Sequence, residues 1–157
     1  MHRGVLTARS VAALVAALLL LPSLAAAQGP RVLAYTTFTA DVAVTTTSET
    51  VVVSSPLVNT PRDEVEVVVI AWAQLTTGTM TTAVTPRIRR GTTTGGTLVG
   101  EANAEQVKAA AGSTEPFILH VAEQRAATSV QYSFTLQQTG ANADGSALQG
   151  GIIVLAR

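Results

Sequence analysis

The chain has 157 residues, with ten basic and ten acidic side chains and no cysteine. The balanced charge excludes a protein that attracts nucleic acid by bulk positive charge, and the lack of cysteine excludes disulfide bonds and cysteine-based metal sites. Stability must therefore come from burial of apolar side chains, from hydrogen bonding or from assembly.

The first 27 residues have the pattern of a secretory signal peptide. Arg3 and Arg9 charge its start, residues 11–21 are an unbroken apolar run, and residues 25–27 are alanines suited to cleavage. A helix of that run is too short to cross a hydrocarbon core of about 30 Å. We expect secretion to the periplasm or the extracellular space, no membrane attachment after cleavage, and one domain spanning residues 28–157.

The domain begins with short segments rich in β-branched residues. Residues 32–39 predict a first strand, residues 41–47 an extension of it, and residues 49–55 a short strand around three consecutive valines. Pro56 closes this strand because proline cannot donate to a β-ladder. Turn-forming residues at 59–63 then lead into the next strand.

Residues 64–76 form the longest apolar run of the domain and predict its central strand. Glutamates alternate with valines at its start, and further on Val68, Ile70 and Trp72 make the second face apolar as well. A strand that is apolar on both faces has to be covered on both.

The middle of the chain predicts a hairpin. Residues 84–90 alternate between apolar and basic side chains, and Pro86 indicates an edge strand. The glycine-bracketed turn at 91–96 leads into a strand at 97–100. The composition of residues 101–111 favours a short helical turn or a loop.

Three segments close the chain. Residues 117–123 predict a strand, residues 128–139 show a clear period of two, and residues 148–156 are apolar on both faces. In the middle segment we predict that Val130, Tyr132, Phe134 and Leu136 face inward and that Gln131, Ser133, Thr135 and Gln137 form a wet face.

About eight strands without alternating helices predict an all-β fold, a two-sheet antiparallel β-sandwich of jelly-roll type. The segments 64–76 and 148–156 share their two-faced apolar character. We predict that they lie together in a sheet that a neighbouring subunit covers. The predicted interface residues are Val68, Ile70, Trp72, Ile153 and Leu155.

The glycine-threonine hairpin at 87–100, the alternating strand at 130–136 and the apolar terminal strand together resemble jelly-roll domains of bacteriophage structural proteins. Those domains are similar to the trimeric tumour-necrosis-factor and C1q class. The resemblance covers roughly residues 49–157. It implies a homotrimer in which the central and terminal strands, with Trp72 and Ile153, form subunit interfaces or an inner sheet.

No arrangement of residues predicts catalysis. His120 is the one histidine of the domain, so it lacks the partners of a triad or of a zinc or iron site, and it is expected to face solvent or a neighbouring subunit. Glu64 and Glu66 share a strand face about 7 Å apart, which a solvated strand end explains. Asp144 is a single carboxylate, which is too few for a calcium-binding site. We expect no enzyme, no metal and no cofactor.

Arg87, Arg89 and Arg90 form the one basic cluster. They are a candidate binding patch for an acidic glycan or a lipopolysaccharide phosphate. The favoured interpretation is that they are solvated charges that prevent an edge strand from pairing with another chain. Sugar stacking requires exposed aromatic rings, and Trp72, Phe117, Tyr132 and Phe134 occupy positions that predict burial.

The function that these observations favour is a non-enzymatic, secreted structural or surface-assembly protein that forms a homo-oligomer, a trimer by resemblance. A surface glycan or another structural protein is a further candidate partner, whereas nucleic acid is not. The alternative is a secreted ligand-binding or carbohydrate-binding module that uses the hairpin at 87–96.

Overall fold

The computed structural model describes residues 30–44, 48–60, 65–77, 82–102, 108–126, 128–139 and 145–157. The predicted signal peptide, Glu64 and Asp144 lie outside these residues, as do parts of the predicted turns and loops. In the described ranges, no helix has the length and apolar character needed to cross a membrane.

The described residues form twelve strands. They are β1 (Arg31–Phe38), β2 (Val42–Val44), β3 (Thr50–Ser54), β4 (Val58–Asn59), β5 (Val65–Thr77), β6 (Thr82–Arg90), β7 (Thr97–Glu101), β8 (Lys108–Ala109), β9 (Thr114–Arg125), β10 (Ser129–Val130), β11 (Tyr132–Thr139) and β12 (Gly145–Ala156).

Two five-stranded antiparallel sheets pack against each other. The first sheet has the order β1-β12-β5-β9, with β2 also pairing with β12, and the second has the order β3-β11-β6-β7, with β8 also pairing with β6. A two-stranded ribbon of β4 and β10 completes the topology. The predicted all-β, two-sheet antiparallel sandwich is confirmed.

Strand β5 is central, as predicted, because it lies between β12 and β9. Its side chains alternate, and Val67, Val69 and Leu75 are fully buried against the second sheet. Tyr132 and Phe134 of β11 are also fully buried in this core. Burying each such side chain contributes about 1.5–3 kcal/mol, so the inter-sheet layer supplies the main stabilisation.

The two apolar strands are hydrogen-bonded neighbours. In the pairing of β12 with β5, Leu155 lies opposite Val68, Ile153 opposite Ile70 and Gly151 opposite Trp72. The prediction that these segments lie together in one sheet is therefore confirmed. Their cover by a neighbouring subunit stays a prediction.

The hairpin of β6 and β7 is confirmed, and its turn contains Gly91 at a φ of 118°, which side chains rarely adopt. The edge position predicted from Pro86 is wrong, because β6 lies between β11 and β7. Strands β7 and β8 pair with residues 87–90 and 82–83 of β6. Pro86 falls in the gap between the two ladders, where its missing N–H leaves no ladder bond unmade.

Two other expectations need correction. Ser133 and Thr135 of β11 are fully buried, so that strand does not have the predicted wet face. The reason is that β11 lies between β3 and β6, and charged side chains close over its outer side. The predicted helical turn or loop at 101–111 is also wrong in part, because its described residues include β8, which pairs with β6.

Candidate functional site

The outer side of the first sheet, turned away from the second sheet, is apolar across four strands. Two exposed residues of β1 and one of β9 flank a half-buried centre on β5 and β12. We call this surface the apolar face and define it by Val32, Tyr35, Val68, Ile70, Trp72, Ile118, Ile153 and Leu155.

The register of the strands aligns these side chains in rows. Ile153, Ile70 and His120 form the middle row, and Trp72 lies beside Ile118 in the next. Ile118 is 71% exposed, which is unusual for isoleucine in a sheet. The face therefore leaves large apolar side chains in contact with water.

Charged side chains are absent from the centre of this face among the described residues. At one end, Glu66 forms an ion pair with Arg157, with Glu66 Oε2 and Arg157 Nη1 3.6 Å apart. At the other end, the Gln149 amide donates to Gln74 Oε1 at 2.9 Å. An uncharged centre with a polar rim is the composition of protein interfaces.

All five predicted interface residues lie on this one face. Val68, Ile70 and Trp72 of β5 are half-buried, and so are Ile153 and Leu155 of β12. The structure thus brings together the whole predicted set. Their contact with another subunit is addressed below as a proposal.

Trp72 occupies the space above Gly151 of the adjacent strand. A Cβ at Gly151 would lie 2.6 and 2.7 Å from two atoms of the indole and 2.7 Å from the Thr36 carbonyl oxygen. The indole also stacks on Tyr35, with ring centroids 6.0 Å apart and an interplanar angle of 22°. The missing side chain at Gly151 therefore allows the aromatic pair to form.

We expect Gly151→Ala to destabilise the fold by about 1–3 kcal/mol, because the new methyl group meets both a packed ring and a carbonyl that cannot rotate away. Chemical denaturation of both proteins measures this loss. Gly95→Ala is the matched control, because a Cβ there first meets Thr93 Oγ1 at an ordinary 3.7 Å. Equal unfolding midpoints for the two variants would contradict the predicted clash.

An open groove of about 460 Å³ lies at the glutamine end of the apolar face. Its lining includes four of the six aromatic residues of the chain, Tyr35, Phe38, Trp72 and Phe117. The sequence-based expectation that Trp72 is buried is wrong, since it is half-buried on the apolar face. Phe117 is also half-buried, but it packs against Phe134 of the core. The sequence signal that could have revealed the close packing beside the groove is the pair of glycines at 150–151, where a Cβ would meet the backbone of β5 or the Trp72 indole.

His120 is exposed on the apolar face, opposite Ile70. Both predicted alternatives, solvent or a neighbouring subunit, fit this position. Within the described ranges, no group of three or more acidic or histidine side chains could hold a metal ion.

The outer side of the second sheet has the opposite character, because ion pairs cover it. Arg89 donates to both Glu49 oxygens, from Nε at 2.5 Å and from Nη2 at 2.6 Å. Arg87 donates to Glu49 at 3.3 Å and to Glu101 at 2.5 Å. The Thr135 hydroxyl also donates a hydrogen bond to the Glu49 carboxylate. Glu49 directly precedes β3 and accepts hydrogen bonds from side chains of β6 and β11, so it connects these three strands.

The environment of Glu49 lowers its pKa below the ordinary value of 4.5. Burial acts in the opposite direction by disfavouring the charged form, but the hydrogen bonds from Arg89 and Thr135 and the charges of Arg89 and Arg87 outweigh it. Glu49 is therefore ionised under neutral conditions and holds the charged layer together.

Arg90 lies on the other side of β6 from Arg87 and Arg89, so the structure does not bring the three predicted patch residues together. Its guanidinium donates to Glu123 at 2.5 Å, and the Tyr132 hydroxyl donates to the same carboxylate at 2.5 Å. Burial, followed by this hydrogen bond, raises the pKa of Tyr132. Each of the three guanidiniums already has a carboxylate partner, so an acidic ligand would have to displace it.

No family model matches the chain, and no curated protein matches it. Among solved structures, the chain is similar to the "Structure of infectious bursal disease virus Gx strain", with 15% sequence identity and a TM-score of 0.46. The similarity covers 81% of this chain and 33% of that chain, so this chain spans about a third of its length.

Proposed function

We propose that the protein is a secreted, non-enzymatic structural or surface-assembly protein whose apolar face joins it to further copies of itself. The observation that carries this proposal is the surface with an uncharged centre that extends over four of the five strands of the first sheet. Exposed apolar surface of this extent marks an interaction site in most water-soluble proteins.

The size of the face fits a stable subunit contact. The four strands have 8, 13, 12 and 12 residues. At a spacing of about 4.8 Å and a rise of about 3.3 Å per residue, their outer side covers about 700 Å². A standard protein interface buries about 800 Å² on each partner. The first sheet therefore offers an area close to that of one such contact.

The contrast between the outer sides of the two sheets also favours the apolar face as the site of self-association. The second sheet presents Glu49, Arg87 and Glu101 to its outer side, and their charges would have to lose water in an interface. Among the described residues, the centre of the first sheet's outer side carries His120 and Tyr35 as titratable groups and no carboxylate, lysine or arginine. Self-association through the first sheet thus avoids burial of unpaired charge.

Secretion is proposed from the pattern of the first 27 residues. The trimeric stoichiometry is proposed from the resemblance to jelly-roll assemblies. Neither secretion nor the trimer determines which face forms the subunit contact. If the protein were a dimer built on the apolar face, only the proposed stoichiometry would be wrong.

Light scattering coupled to size exclusion, on purified residues 28–157, tests the assembly. We expect a mass that is a multiple of the single chain at micromolar concentration, three-fold for the trimer. A strict monomer over that range would remove the proposal. N-terminal sequencing of protein exported by a bacterial host separately tests cleavage near Gln28.

A further inference from the structure

We propose that the groove at the glutamine end of the apolar face binds a neutral carbohydrate. This site is distinct from the arginine hairpin considered above. Tyr35, Trp72 and Ile118 belong both to the groove and to the apolar face, so a sugar and a second subunit would compete for these residues.

The groove has the size and composition of a small-molecule site. Its volume of about 460 Å³ falls within the range of about 300–1,000 Å³ that is usual for ligand pockets. Every lining residue that the structure describes is uncharged, so neither an acidic nor a basic ligand would find an opposite charge among them. Its polar groups come from tyrosine, threonine and glutamine side chains.

The two glutamines provide a matched donor and acceptor. Gln149 Nε2 donates to Gln74 Oε1 at 2.9 Å, and this exposed bond pairs the two amides at the rim of the groove. The Gln74 amino group and the Gln149 carbonyl oxygen have no other partner among the described residues. Neighbouring sugar hydroxyls can each donate and accept, so a vicinal pair would satisfy both groups at once.

The aromatic side chains supply the apolar part of the site. Tyr35 is 57% exposed and stacks on Trp72. The C–H face of a pyranose ring is apolar, and it packs on aromatic rings while the hydroxyls at its edge form hydrogen bonds. Rings beside a donor–acceptor pair distinguish a sugar from a purely apolar ligand, which would leave the amides unsatisfied.

Trp72 is the one tryptophan of the chain, so its fluorescence reports directly on the groove. We would titrate the mature protein, and its Ile153→Lys variant in which the apolar face is expected to be free of a second subunit, with a panel of neutral gluco-, manno-, galacto- and xylo-oligosaccharides. Oligogalacturonate is the acidic probe and dodecanoate is the apolar probe. We expect a saturable change in emission with at least one neutral sugar and none with the acidic probe.

Gln74→Leu and Gln149→Leu should each weaken sugar binding about three- to tenfold through loss of a hydrogen bond. Gln124→Leu is the matched control, because Gln124 is an exposed glutamine further along the same sheet, opposite Glu66. It should leave the affinity unchanged. The oligomer mass should be the same in all three variants, so failure of this site and failure of self-association give different results.

The proposal is overturned if no neutral sugar changes the emission, or if oligogalacturonate or dodecanoate binds more tightly than every neutral sugar. It is equally overturned if Gln74→Leu and Gln124→Leu bind the sugar with the same affinity.

Discussion

Replacing Ile153 with lysine is expected to convert the assembled protein into a monomer. Ile153 lies in the middle row of the apolar face, between Tyr35 of β1 and Ile70 of β5. A lysine there would bring an unpaired ammonium group into the centre of the contact on every copy. The cost of burying such a charge is about 3 kcal/mol or more, on the order of a 100-fold increase in the dissociation constant.

The isolated subunit should tolerate this change, because its outer face is open to water and the ammonium group can remain hydrated. Leu57→Lys is the matched control, since Leu57 is 57% exposed and lies between β3 and β4, neither of which belongs to the first sheet. Sedimentation velocity over a concentration series compares the variants, and circular dichroism checks the fold. An unchanged mass for Ile153→Lys in a folded protein would place the contact elsewhere.

The architecture of the first sheet was predictable because its strands carry apolar residues on two faces. In β5, one set of side chains enters the sandwich core and the other, with Ile70 at its middle, remains outside. A period of two determines which residues share a face, and two apolar faces require two covers. Because β12 has the same character, its position beside β5 also followed from the pattern.

The cover on β11 was not predictable in the same way. Ser133 and Thr135 alternate with large apolar residues, which is typical of a wet face. Their burial depends on charged side chains that reach over them, and Glu49 precedes β3, more than eighty residues earlier in the chain. Local periodicity reports the polarity of a strand face, but it does not identify what lies on top of that face.

The groove depends on strand register, which the sequence does not specify. A register shift in β12 between Ala147 and Gln149 places Gln149 beside Gln74 and Gly151 opposite Trp72. Without that irregularity, the side chains beyond it would change faces. The glycines and glutamines were visible in the sequence, but their arrangement around one tryptophan required the three-dimensional pairing.

Replacing Glu49 with glutamine is expected to destabilise the fold by about 2–4 kcal/mol. The glutamate side chain is only 12% exposed, and it holds Arg89, whose side chain is 17% exposed. Glutamine retains the size of the side chain but removes the charge, so two guanidiniums would remain partly buried with one acceptor fewer. Glu101→Gln is the matched control, because Glu101 also pairs with Arg87 but is 43% exposed, and it should cost at most about 1 kcal/mol.

The pH dependence of unfolding separates the ionic contribution of Glu49 from a loss of packing. Its pKa is lower in the folded state than in the unfolded chain, so its stabilisation is complete above the ordinary value of 4.5 and is lost as pH falls through the folded-state pKa. Urea unfolding between pH 7 and pH 3 should show a decline in stability below about pH 5 that is smaller in Glu49→Gln. Parallel pH profiles for the wild type and this variant would mean that Glu49 acts through its shape, and that the charged layer on the second sheet contributes little to the fold.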